Sequence, residues 1–76
     1  MVKITERRSK LIEDAQASGY EVLFGNISIF FTKRGKSKMI LYEDGTAIRL
    51  DIPTKAIKVM QSYNEMRRVL GIKKEN

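Results

Sequence analysis

The sequence predicts a small two-layer α+β domain: a helix, a three- or four-stranded antiparallel meander and a second helix, with both helices on one face of the sheet. Three observations predict it. The hydrophobic period is helical near the N terminus, changes to two between Glu21 and Ile52, and returns to helical spacing after Pro53. Asp44-Gly45 supplies a hairpin signal inside the period-two region. Finally, 76 residues with 42% hydrophobic and 32% charged side chains suffice for one thin core and not for two. Residues 1–76 therefore read as one domain.

Thr5 is the expected N-cap of the first helix, and Glu6 to Ser18 follows without glycine, proline or a β-branched run. Leu11, Ile12 and Ala15 form its apolar stripe. Gly19 suits the left-handed position just past a helix end, and Tyr20 can fold back toward Ala15. In the next region Ile27, Ile29 and Phe31 alternate with Ser28, Phe30 and Thr32. Gly25-Asn26 is either a turn, which makes Tyr20 to Phe24 a strand of its own, or a bulge in one long strand. Arg34-Gly35-Lys36-Ser37 reads as a loose hairpin loop before a strand over Lys38 to Glu43.

Thr46 to Ile52 is the clearest alternation, with Ile48, Leu50 and Ile52 on one face and Ala47, Arg49 and Asp51 on the other. Pro53 closes that strand and Thr54 caps a second helix over Lys55 to Leu70. Ala56, Val59, Met60, Tyr63, Met66 and Leu70 share its apolar stripe, and Gly71 ends it. Residues 72–76 read as a frayed basic tail.

If Ile27, Ile29, Phe31, Ile48, Leu50 and Ile52 face the helices, Ser28, Phe30, Thr32, Arg49 and Asp51 lie on the open face. The strand over Lys38 to Glu43 has two registers: Met39 and Leu41 inward, or the reverse. In the first, the open face carries Phe30 and Tyr42 flanked by Arg34, Lys36, Lys38 and Arg49. Such a face can stack unpaired bases or enter a groove of duplex DNA.

Composition narrows the chemistry. There is no cysteine and no histidine, so disulfides, thiolate metal sites and Ser-His-Asp or Cys-His nucleophilic arrangements are excluded. No cofactor or metal is expected. Gly35-Lys36-Ser37 matches the end of a P-loop but lacks its first glycine and sits in a hairpin. A ribonuclease using Arg49, Tyr42 and the loop lysines is the residual enzymatic alternative; the reading taken is non-enzymatic. Charge breaks the N-terminal stretch before a signal-peptide core can form, and the run Ile27 to Phe31 is far too short for a membrane span. A cytoplasmic protein with no membrane role is expected.

Lys+Arg number 15 against 9 Asp+Glu, a net charge of +6 that favours acidic partners. Lys33, Arg34, Lys36 and Lys38 place four positive charges in six residues at the hairpin tip. They are the leading candidates for phosphate contact, with Arg49, Phe30 and Tyr42 from the sheet and Arg67 and Arg68 from the second helix. Positive charge at that helix end also complements the helix dipole.

The expected function is a small nucleic-acid-binding regulator or accessory factor, with DNA and RNA undecided. The alternative is an adaptor or inhibitor that docks its cationic and aromatic sheet face on an acidic protein. A homodimer is compatible with both. The order helix, three strands, helix resembles the double-stranded-RNA-binding fold. Gly19-Tyr20-Glu21-Val22 before Ile29-Phe30 resembles small interferase toxins, and Ile27 to Leu70 resembles integrase arm-binding domains. The toxins use a histidine that this chain lacks, so the resemblance implies no activity here.

Overall fold

The first helix starts and stops where the residues say it should. In the computed structural model, which describes residues 3–75, α1 spans Glu6–Ala17. The Thr5 hydroxyl accepts the Arg8 backbone N–H at 3.2 Å, satisfying one of the first-turn donors. At the other end Gly19 sits at φ 94°. Its N–H donates to the Gln16 carbonyl at 3.1 Å and the Tyr20 N–H to the Ala15 carbonyl at 3.0 Å, the paired bonds of a Schellman end. Tyr20 and Ala15 are both buried, the apolar pair that often accompanies such an end. Readings that touch Met1, Val2 and Asn76 lie outside the described residues.

Five strands follow: β1 (Glu21–Phe24), β2 (Ser28–Lys33), β3 (Lys36–Tyr42), β4 (Ala47–Arg49) and β5 (Val59–Met60). They pair antiparallel in the order β1-β2-β3-β4-β5. A 3-10 turn at Thr54–Ala56 precedes β5, and α2 (Tyr63–Leu70) completes the helix–strands–helix order. The separate-strand reading holds, but the turn lies one residue later than Gly25-Asn26: the Gly25 N–H donates to the Ser28 carbonyl at 2.7 Å, leaving Asn26 and Ile27 as the loop of the β1–β2 hairpin.

The helices share one side of the sheet, α1 against β1 and α2 against β3, and touch each other. Leu11, Ile12 and Ala15 from α1 and Met66 and Leu70 from α2 meet Ile29, Phe31, Met39, Leu41, Ala47 and Met60 from the sheet. The first register of the middle strand is therefore the one found, with Met39 and Leu41 inward.

Four expectations are corrected. The first concerns the β3–β4 turn, which is one residue wider than a two-residue Asp-Gly hairpin. The Gly45 N–H reaches the Tyr42 carbonyl at 3.0 Å, and the Tyr42 N–H reaches the Thr46 carbonyl at 2.7 Å. Gly45 takes φ 92°, and the Asp44 carboxylate accepts the Thr46 N–H at 3.0 Å. A two-residue turn would set Ile48 opposite Leu41 and send it inward. The three-residue loop instead sets Ala47 opposite Leu41, Ile48 opposite Ile40 and Arg49 opposite Met39. One residue of slip exchanges the two faces, so Ala47 is buried and Ile48 faces out. The strand ends at Arg49, leaving Leu50 and Ile52 outside it.

The second correction is to the long C-terminal helix. Pro53 and Thr54 start only a single 3-10 turn, after which Ile57 is extended at φ -69° and ψ 129°. Val59 and Met60 then pair with Ile48 and Ala47. The alternation Ile57-Lys58-Val59-Met60, with two β-branched residues, satisfies the free edge of β4, and a helix there would leave it bare. Ser62 becomes the N-cap of α2, and Gly71 at φ 71° closes it as expected. Third, Ile27 lies in the β1–β2 loop, 63% exposed, and not in the core. Fourth, the C-terminal residues dock: Ile72 packs on the core, and the Glu75 N–H donates to Asn64 Oδ1 at 2.7 Å. Arg7 pairs with the Glu75 carboxylate at 2.6 Å.

Arg8 stands one turn before Leu11 and Ile12 on the apolar stripe of α1, and its role goes beyond that of a solvated helix cation. It is buried, and its guanidinium donates to the Lys3 carbonyl at 2.8 Å, the Glu43 carbonyl at 2.9 Å and the Tyr63 hydroxyl at 3.3 Å. It thereby ties the N-terminal segment, the β3–β4 loop and α2 together. Among the described residues no helix is long and apolar enough to cross a membrane.

Candidate nucleic-acid interface

The β2–β3 hairpin is tighter than a loose loop. Arg34 at φ 54° and Gly35 at φ 78° are both left-handed, the signature of a two-residue type I′ turn. Just before the tip the ladder skips a residue on β3. Phe31 faces Met39, but Thr32 faces Ser37 and Lys33 faces Lys36, so Lys38 is the extra residue of a bulge. The turn and bulge together gather Lys33, Arg34, Lys36 and Lys38 around one surface groove of about 490 Å³, and no other residue lines it.

The electrostatics of this groove are one-sided. Among the described residues no carboxylate pairs with Lys33, Arg34 or Lys36; Lys38 alone has one, Asp51, at 3.6 Å. Lys33 places its ammonium 4.9 Å from the Tyr20 ring centroid, a cation–π contact that holds it beside the groove without neutralising it. Arg34 is the sole described non-glycine residue at positive φ. An L side chain there costs roughly 1–2 kcal/mol, which glycine or asparagine would largely avoid.

Arg49 lies beyond Asp51 and is committed to it, donating through Nε and, at 3.4 Å, through a second nitrogen. The Arg49 hydrogen bond, with Lys38 adding to it, holds the Asp51 carboxyl below its ordinary range. Arg49 and the exposed Arg68 line a second, smaller groove with Lys58 and Glu65, between the β4–β5 segment and α2. Asp51 thus stands between two cationic patches on the helix-bearing side.

Arg67 does not join them. It is buried, paired with Asp14 and donating to the Lys73 carbonyl. The Arg67 hydrogen bond lowers the Asp14 pKa, and the pair clamps α1 to α2.

Phe30 and Tyr42 do lie on the open face, half-buried, but Lys36 and Arg49, expected around them, do not. Directly paired residues share a face, so one row runs across the sheet: Leu23, Phe30, Ile40, Ile48 and Val59. Lys33 and Arg49 sit one position out of phase with that row and face the helix side. The expected basic-aromatic face is therefore divided: the apolar row lies on the open face, and Lys33, Lys36 and Arg49 turn the other way. Two members of the row are not visible in the sequence: Ile48, because the turn at Asp44-Gly45 is a residue wider, and Val59, because it fits a helical stripe.

Among the described residues no group of three carboxylates converges as a metal site would need. Comparison with protein-family models, curated proteins and solved structures returns no match to this chain.

Proposed function

We propose that this chain is a small non-enzymatic nucleic-acid-binding module that grips phosphates with the β2–β3 hairpin. The observation that carries the reading is the groove lined by Lys33, Arg34, Lys36 and Lys38 alone. Four like charges held together repel one another, and successive phosphates relieve that repulsion while releasing their condensed counterions. The left-handed Arg34 adds independent support, because the chain keeps a cation where backbone preference calls for asparagine or glycine. Arg49 and Arg68 extend the track along the helix-bearing side; Phe30 and Tyr42, on the opposite face, are not part of it.

The test is the salt dependence of oligonucleotide binding. About four phosphate contacts give a log–log slope near −3.6 on duplex DNA and near −2.8 on a single strand. Fluorescence anisotropy across a salt series should return such a slope for the native chain. It should nearly vanish when Lys33, Arg34, Lys36 and Lys38 are all changed to Ala, with the circular dichroism spectrum unchanged. Equal binding by the two proteins removes the groove from the function.

A further inference from the structure

The sheet has two outer strands, and they are not equally guarded. β5 is two residues long, a length that by itself discourages pairing. β1 is four residues, Glu-Val-Leu-Phe, with no proline, lysine or bulge to protect it. Leu23 and Phe24 are 47% and 55% exposed, and Ile27 from the adjoining loop adds a third large apolar side chain.

The backbone phase of this edge is determined by the hairpin. The Gly25 N–H donates to the Ser28 carbonyl. In an antiparallel ladder hydrogen-bonded and non-bonded pairs alternate, so Leu23 with Phe30 and Glu21 with Thr32 are the bonded pairs of β1 and β2. Val22 and Phe24 therefore turn their N–H and C=O groups outward.

We propose that the β1 edge pairs antiparallel with β1 of a second copy about a two-fold axis at Leu23, joining two five-stranded sheets into one of ten strands. A second copy is the occupant because the edge is complementary to itself. Centred on Leu23, Val22 exchanges both backbone bonds with the partner's Phe24, and Phe24 with the partner's Val22. Each apolar side chain on the helix side then meets another. Leu23 meets the partner's Leu23 on the open face, so the row Val59, Ile48, Ile40, Phe30, Leu23 continues into the second sheet. Centring on Val22 would set Glu21 against the partner's Leu23, and centring on Phe24 would set Val22 against the partner's Asn26.

Charge also permits this register. Glu21 is the one charged residue of β1, and the axis at Leu23 separates the two copies of it. The basic tip lies at the Glu21 end of the sheet, so the two tips fall at opposite ends of the joined sheet, where the repulsion between two chains of net charge +6 is weakest. The pairing is independent of what the tip binds.

The experiment is sedimentation velocity of the full chain between about ten micromolar and about one millimolar, the range of weak transient association. Amide exchange by NMR is followed alongside. The mass should rise from 8.8 kDa toward twice that value. Protection of the Val22 and Phe24 amides should rise with it, a signature that face-to-face packing of the open sheets would not produce. Val22→Pro removes an outward N–H without touching the β1–β2 ladder, and Leu23→Lys places a charge on the axis at a site half-exposed in the single chain. Both variants should stay monomeric with native spectra. A native chain that stays monomeric throughout, association that survives both variants, or a dimer that leaves those two amides unprotected would each overturn the proposal.

Discussion

Replacing Arg34 by Asn separates what the hairpin needs to fold from what it needs to bind. Arg34 occupies the first position of the type I′ turn at φ 54°, next to Gly35 at φ 78°. An arginine in the left-handed region costs roughly 1–2 kcal/mol, whereas asparagine is a preferred residue there. No described hydrogen bond or ion pair of the folded chain uses the Arg34 side chain, so its removal forfeits no contact that would offset the gain. Arg34→Asn should therefore stabilise the protein by about 0.5–1 kcal/mol, with the conformational penalty as its source. For a domain of this size that raises the melting temperature by about 2–8 °C. The same change removes one of four phosphate contacts, so the salt slope on duplex DNA should shallow by about 0.9. Arg34→Ala controls for charge alone, matching the binding loss without the stabilisation, because alanine dislikes the left-handed region as arginine does. Thermal unfolding by circular dichroism and anisotropy titrations at several salt concentrations measure the two effects. A lower melting temperature for Arg34→Asn would refute the backbone argument, and an unchanged salt slope would refute the role of Arg34 in phosphate binding.

Two further expectations follow from the ion pairs. Asp51→Asn deletes the carboxylate shared by Arg49 and Lys38. Oligonucleotide affinity should rise several-fold and the salt slope on duplex DNA steepen by about 0.9 as Arg49 becomes available in addition to Lys38; unchanged or weaker binding counts against the track along the helix-bearing side. Asp14, Asp51 and Glu75 all have carboxyl pKa values lowered, first by hydrogen bonds from Arg67, Arg49 and Arg7 respectively. A depressed folded-state pKa contributes stability that is fully present above the unfolded value and is lost as pH falls through the folded one. With ordinary values of 3.8 for the aspartates and 4.5 for the glutamate, that contribution should drain away below about pH 4. The urea midpoint should stay nearly level from about pH 5 to 8, since no histidine titrates there, and drop in acid. A midpoint that rises on acidification would contradict the pairing geometry.

The parts of the fold legible in the sequence are those decided by a few neighbouring residues. Thr5, Gly19 and Tyr20 specify both ends of α1 locally, and Gly71 does the same for the end of α2. What was illegible depended on non-local choices. Asp44-Gly45 announces a turn but not its width, and width alone decides which face Ile48 takes. Ala56, Val59 and Met60 fit a helical stripe, yet Val59 and Met60 are taken by the unpaired edge of β4. Buried arginines are the third class. Helical spacing sets Arg8 on the stripe of Leu11, Ile12 and Ala15 and Arg67 beside Met66 and Leu70, but the carbonyls and the carboxylate that hold them come from distant elements and leave no local mark.

The basic hairpin shows why charge counting locates a cationic segment but not the surface it faces. The run from Lys33 to Lys38 is visible as composition, but where its side chains point depends on a bulge at Lys38 and a turn that is left-handed at both positions. An asparagine before Gly35 would have announced that turn; arginine conceals it, which is why the segment reads as a loose loop. The concealment is itself informative. Across the rest of the described chain every positive φ falls to glycine, at Gly19, Gly35, Gly45 and Gly71. A backbone that obeys the rule everywhere else breaks it once, at one of the four cations that line the groove, and that irregularity is what the proposed phosphate contact would account for.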